Sequence, residues 1–248
     1  MSDFRDAAHV GVDGSAPPAT ALVAGASRGV GEAVARRLAA NGTRTALVAR
    51  SGEALQTLAG ELGGVALPCD LLDAEAVEAT AHRVQEALDG PPEVVVNAAG
   101  VFSMAPAHET SVEDFDRNVA VNLRGAFLLV RALLPAMLRR GRGLLVNVGS
   151  VAGRRGLPGN AAYGASKYGL RGLHEVLPDE VRGTGVRVAL VEPAATDTEL
   201  WDPYDPDADP GLPDRAEMLD PGDVARVVHF AATTRPEVNL PVLQVERA

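Results

Sequence analysis

The chain has 248 residues, 46% of them hydrophobic and 23% charged, which suits one large α/β domain and leaves no room for two. Its net charge of −10 argues against nucleic acid or an anionic membrane as a partner, because both are polyanions. The lone Cys69 cannot form a disulfide within the chain, no apolar run is read as long enough to cross a bilayer, and residues 1–18, broken up by Asp3, Arg5, Asp6 and Asp13, read as a frayed cytoplasmic tail rather than a secretory signal.

From Thr20 onward, strands and helices alternate. Residues 21–24 predict the first strand and residues 32–40 the first helix, closed by Asn41-Gly42. Strand 45–49 and helix 54–62 follow, then strand 65–68 and a helix over 73–88 that Asp73 can cap. Strand 93–97 leads into a long helical region, 112–140, expected to break near Asn118–Asn122. Strand 143–148 precedes a helix over 161–182, in which Pro178 predicts a kink, and then strand 186–191. Residues 198–219, crowded with Pro and Asp, predict a lid before the last helix, 221–233, and a closing strand, 240–245. Short apolar strands alternating with helices imply an α/β fold, a parallel sheet covered on both faces, with residues 19–248 as one domain.

Gly25-Ala26-Ser27-Arg28-Gly29-Val30-Gly31 lies between the first strand and the first helix. Glycines there let backbone approach a pyrophosphate, and the helix N-terminus adds free N–H groups and positive potential. At the end of the second strand, where an NAD site places an acid for the 2′-hydroxyl, the chain has Arg50. Arg50 and Arg28 together suit a 2′-phosphate, so NADP(H) is expected over NAD(H); the alternative is two solvated surface arginines. Asp70, followed by Leu71 at the end of the third strand, either accepts from the adenine amino group or caps its loop.

Tyr163-Gly-Ala-Ser-Lys167 places a phenol and an ammonium one helical turn apart. Lys167 is the one lysine among 23 basic residues, and Tyr163 one of only three tyrosines, so a chance pairing is unattractive. An adjacent ammonium is expected to lower the phenol's pKa from near ~10, enabling proton exchange with an alkoxide. Ser150 ends the fifth strand, where a hydroxyl can hold a substrate oxygen; alone it reads as a cap or turn residue.

Taken together, Gly25-x-x-x-Gly29-x-Gly31, Asn97-Ala98-Ala99-Gly100, Asn122, Ser150, Tyr163-x-x-x-Lys167 and the segment from Pro193 to Thr198 resemble the short-chain dehydrogenase/reductases in their compact single-domain branch. The resemblance implies a Rossmann-type, doubly wound, mostly parallel sheet of seven strands with helices on both faces. It implies a catalytic set of Ser150, Tyr163 and Lys167 completed by Asn122, which would hold a water linking Lys167 to solvent. It assigns Asn97, Ala98 and Gly100 to the cofactor's side of the sheet, and Pro193, Thr196 and Thr198 to the nicotinamide carboxamide. It also implies a homotetramer or homodimer built on the long helices after the fourth and fifth strands. Ala24, where the family usually has threonine, and Ala194, where it often has glycine, depart from the pattern and put loop geometry in question.

The substrate pocket is expected to be lined by Val101 to Met104, Val151 to Gly153, Leu157, Trp201 and Tyr204, although the last two could instead pin the lid to the body. With no cluster there for a phosphate or carboxylate, the expected substrate is an uncharged or carrier-attached ketone or aldehyde, 3-oxoacyl or a secondary-metabolite ketone. An NADP-binding regulatory protein without turnover is the alternative, but it has no need of the phenol–ammonium pair. A sugar-nucleotide epimerase would carry a larger region after Pro193. The five histidines, His9, His82, His108, His174 and His229, are too scattered to predict a metal site.

Overall fold

Runs of Val, Leu and Ala that are apolar on both sides are what a sheet covered on both faces requires. The computed structural model describes residues 16–248 and has seven such strands: β1 (Thr20–Ala24), β2 (Arg44–Ala49), β3 (Val65–Pro68), β4 (Val94–Asn97), β5 (Gly143–Val148), β6 (Val186–Pro193) and β7 (Val242–Val245). The expected tail of residues 1–18 thus lies, but for its last three residues, outside the described residues. The strands pair in the order β3-β2-β1-β4-β5-β6-β7, and every neighbouring pair is parallel. The chain builds outward from β1 to β3, then returns to place β4 on the other side of β1. That reversal opens a crevice at the carboxyl ends of β1 and β4, the usual ligand seat of an open α/β sheet.

The helices are α1 (Gly29–Ala40), α2 (Gly52–Leu62), α3 (Ala74–Ala87), α4 (Val112–Val119), α5 (Gly125–Arg140), α6 (Ala161–Glu180) and α7 (Pro221–Thr233). Val34 and Leu38 of α1, Leu55 of α2 and Val224 and Val228 of α7 share one core with one face of the sheet. Val77 and Val84 of α3, Leu129, Leu133 and Met137 of α5 and Leu177 of α6 share another with the opposite face. Asp73 caps α3 as expected, accepting from the N–H groups of Glu75 and Ala76.

Three expectations are corrected. The helical region does not break at Asn118–Asn122: α4 passes into α5 through a single widened π-turn, Ala120–Arg124, which keeps the axis continuous. The joined run Val112–Arg140 therefore does reach membrane-spanning length, 29 residues with a mean hydropathy of 1.5 in its most apolar window. Its apolar side is explained by burial on the sheet through Leu128, Leu129, Leu133 and Met137. Pro178 falls in the final turn of α6, which ends two residues later, so the proline sits where the helix stops. The segment expected as a lid carries only two short 3₁₀ turns, Asp202–Tyr204 and Arg215–Glu217.

Candidate active site

The glycine loop is shaped by close approach. Gly25 has φ +78°, and a Cβ there would stand 2.5 Å from the Ala99 nitrogen; one on Gly31 would stand 2.1 Å from the Gly25 carbonyl oxygen. Only glycine lets this loop fold onto both β4's exit and its own helix. The N–H groups of Gly25 and Ala26 donate to the Val48 carbonyl at 2.8 and 3.2 Å, bracing the loop on β2 without a hydroxyl from Ala24. Helix α1 starts at Gly29, earlier than expected, and its N-cap Arg28 makes no side-chain capping bond. The first-turn N–H groups are left for a ligand.

Beside this loop lies a cleft of about 1090 Å³. That exceeds the roughly 300–1,000 Å³ of a site for one drug-sized molecule and suits a dinucleotide with a second, smaller compound. Gly25, Ser27, Arg28, Gly29, Val30, Arg50, Asp70, Leu71, Ala98, Gly100, Ser150, Tyr163, Lys167, Pro193, Thr196 and Thr198 all line it, as expected. Gly31, Asn97 and Asn122 do not. Gly31 shapes the loop instead, and Asn97 bridges β4 to β5, its Nδ2 donating to Asn147 Oδ1 at 3.3 Å while its Oδ1 accepts from the Ala99 N–H. Ala194 has no left-handed backbone, so alanine stands there without strain.

Arg28 and Arg50 are exposed at the ends of neighbouring strands, and among the described residues neither is engaged in an ion pair. Two free guanidinium groups over one end of the cleft fit a phosphate. Asp70 accepts from the Leu72 N–H at 3.0 Å and lines the cleft as well, so it serves its loop with one oxygen and leaves the other open.

At the cleft's other end α6 brings Tyr163 and Lys167 onto one face, opposite Ser150 at the exit of β5. Lys167 Nζ lies 5.6 Å from the Tyr163 ring centroid and donates to the Val148 carbonyl at 3.0 Å. Burial holds the ammonium down to a pKa of about 8. The phenol moves the opposite way from the sequence expectation: burial raises its pKa, and the Ser150 hydroxyl, hydrogen-bonded to it, opposes the rise. Lowering by the neighbouring ammonium is thus outweighed by desolvation, because both groups are enclosed. Such a phenol holds its proton firmly and can give it up only to a developing anion.

Asn122, in the π-turn, works mainly as a bracket. Its Oδ1 accepts from the Val101 N–H at 2.8 Å, and its Nδ2 donates to the Val101 carbonyl and to Ser166 Oγ, both at 2.9 Å. The Ser166 hydroxyl in turn donates to the Tyr163 carbonyl at 2.7 Å. Asn122 Oδ1 and Lys167 Nζ both flank Gly100, 3.4 and 3.9 Å from where its Cβ would stand.

Sequence reasoning missed two residues. Asn118, fully buried, donates to Ser103 and to the Asp114 carbonyl and continues the Asn122 bracket toward the loop after β4. Its signal was an amide one helical turn before Asn122 on the inward side. Phe102 is the other: it packs on Tyr163 edge-to-face at 4.9 Å and on Trp201 and Tyr204 at 5.1 and 5.2 Å. Trp201 lines the cleft, whereas Tyr204 stands outside the lining, its hydroxyl accepting from the Met104 N–H at 3.0 Å. The expected lining is corrected there, and Ser103 and Gly153 also fall outside it.

Residues 19–209 match the family model described as short chain dehydrogenase. The chain is 38% identical over 222 residues to D-threitol dehydrogenase of Mycolicibacterium smegmatis, spanning 86% of this chain and 85% of that one. It is 41% identical over 180 residues to 3-oxoacyl-[acyl-carrier-protein] reductase of Bos taurus, 72% of this chain and 76% of that one. Among solved structures, the closed form of a serine dehydrogenase complexed with NADP+ superposes with a TM-score of 0.84 at 32% identity, covering 91% of this chain and 93% of that one.

Proposed function

Since the chain belongs to the short chain dehydrogenase family, enzymes acting on CH–OH or C=O groups with a nicotinamide cofactor, we propose that it reduces a small-molecule ketone or aldehyde with NADPH, using Tyr163 as proton donor. The observation that carries this reading is the phenol of Tyr163 beside Ser150 and Lys167 at one end of the cleft, with its pKa raised. The unpaired Arg28 and Arg50 at the other end support the 2′-phosphorylated cofactor.

In this reading Gly25 to Val30 and the α1 N-terminus hold the pyrophosphate, Arg28 and Arg50 the 2′-phosphate, and Pro193 to Thr198 the carboxamide. When bound, the reduced nicotinamide supplies a hydride to the carbonyl carbon. Ser150 and Tyr163 fix the carbonyl oxygen. As negative charge builds on that oxygen, Tyr163 gives it the proton that burial had kept on the phenol. Lys167, one helical turn away, stabilises the phenolate left behind. Asn122 keeps Val101 and α6 in register, and its Oδ1 faces the same space beside Gly100 as Lys167 Nζ, the path by which the proton is replaced.

The exposed Phe115 of α4, Phe127 of α5 and Tyr168 and Val176 of α6 support assembly as a homodimer or homotetramer through these neighbouring helices. The test is turnover of a carbonyl panel followed at the nicotinamide absorbance with NADPH and with NADH. NADPH is expected to be favoured by roughly ten-fold or more in kcat/KM, and Arg50→Ala to remove most of that preference. Equal use of the two cofactors by the parent enzyme would contradict the NADP assignment, and no turnover with either would contradict the reductase reading.

A further inference from the structure

The substrate half of the cleft is walled by rings and rimmed by acid. Phe102 is the centre of the wall, in contact with Tyr163, Trp201 and Tyr204 at once. The wall is fixed in place from behind. Tyr204 is tied to the Met104 N–H, and Arg215 clamps the lid through Asp197 at 2.6 Å and Asp202 at 2.7 Å. Met104, Leu157, Leu200 and Leu212 complete the apolar lining. Among the described residues the cationic side chains lining the cleft are Arg28, Arg50 and Lys167. The first two stand at the cofactor end, and Lys167 is turned to the Val148 carbonyl. Between Asp197 and Glu217 the chain carries Asp197, Glu199, Asp202, Asp205, Asp207, Asp209, Asp214 and Glu217 against the single Arg215.

Resting on the carbonyl-reductase reading above, we infer that the substrate is a compact, uncharged cyclic ketone, aryl or alicyclic, packed against Phe102, and that Phe102 sets this specificity. Rings held edge-to-face and tilted offer both a face and an edge to a flat molecule. A rigid ring also freezes no rotors on binding, as a linear chain must. A polyhydroxy ketone fits poorly. Ser150 and Tyr163 serve the reacting oxygen, and each further hydroxyl set against Phe102, Met104 and Leu212 loses its water without gaining a partner, which weakens binding about ten-fold apiece. A thioester on a phosphate-bearing carrier would bring its phosphodiester to the acidic lid, where like charges repel. In the reaction the ketone carbon gains a hydride from NADPH and its oxygen the Tyr163 proton, giving a secondary alcohol and NADP+.

The experiment measures kcat/KM with NADPH for acetophenone, cyclohexanone, 2-octanone, erythrulose and an acetoacetyl-pantetheine thioester. It uses the parent, Phe102→Ala and Phe102→Leu. The parent is expected to prefer the cyclic ketones to erythrulose and the thioester by roughly ten-fold or more. Phe102→Ala is expected to raise KM for the cyclic ketones by about ten-fold while 2-octanone changes less than about three-fold, with Phe102→Leu in between and the NADPH dissociation constant unmoved. The pH profile of kcat should stay that of the parent, which a displaced Tyr163 would not allow. A parent that prefers erythrulose or the thioester, or an alanine variant that slows all substrates alike, overturns the inference and leaves the reductase reading standing. No turnover of any carbonyl removes both.

Discussion

Lys167 and Tyr163 are both pushed toward their neutral forms by the same enclosure, and that shared pressure sets the chemistry and part of the stability. The Lys167 ammonium is held near pKa 8 against 10.5 for a free lysine, so at neutral pH it is charged at a folding cost of about 3 kcal/mol. Because the unfolded chain binds more protons than the native one between those two values, stability is expected to rise with pH from about 8 to 10.5 on this group's account. Lys167→Met should therefore be inactive yet more stable at pH 7, by about 1–2 kcal/mol once the lost bond to Val148 is subtracted, with the gain fading toward pH 10. Urea unfolding at several pH values checks this; a variant less stable at pH 7 would contradict it. The pair itself was legible from a single lysine set four residues after a tyrosine. The sign of the phenol's shift was not, because spacing reveals the neighbouring charge but not the loss of water that outweighs it. Asn118 was illegible for a related reason: an isolated amide in a helix reads as surface until its partner Ser103 is brought to it.

At the scale of elements, α6 is positioned by a third residue of the same row. Arg171 follows Lys167 by one turn and binds both oxygens of the fully buried Glu192, at 2.8 and 3.0 Å, just before Pro193. The ion pair thus joins the helix bearing the proton donor to the strand that ends at the cofactor. Arg171→Met leaves a buried carboxylate and should destabilise the fold by about 2–4 kcal/mol, whereas Arg36→Ala, which loses only surface pairs to Glu32 and Glu61, should cost under about 1 kcal/mol. Similar losses for the two would show that the buried pair is not special. Gly25→Ala should lose NADPH binding by roughly ten-fold or more, since its Cβ would meet the Ala99 backbone at φ +78°; calorimetric titration with NADPH reads this directly, and parental affinity would contradict it. Strand and helix order were readable from apolar period and glycine turns. The π-turn was not, because Asn118 and Asn122 look like breakers until their hydrogen bonds to Ser103, Val101 and Ser166 are seen to anchor the helix from inside.

Across the whole molecule, order of strands and placement of chemistry coincide. The reversal between β1 and β4 gathers Gly25, Arg50, Asp70, Ala98, Ser150 and Pro193 at one edge of the sheet. That much follows from a sequence in which each such residue directly ends a strand. What did not follow was the ring cluster, since Phe102, Trp201 and Tyr204 are far apart in the chain and meet only when the lid folds over the loop after β4. Nor did the apolar outer face of α4 to α6, where Phe127→Asp with Tyr168→Asp should shift the mass seen by light scattering to that of one chain; a parent already monomeric would contradict the proposed assembly. The proton on Tyr163 remains the pivot of the proposed activity. The most direct measurement is single-turnover reduction of one ketone at pH 7 by parent and Tyr163→Phe, each saturated with NADPH. A rate lower by about 10²–10⁴-fold with NADPH affinity retained is expected, and a phenylalanine variant as fast as the parent would contradict Tyr163 as the proton donor.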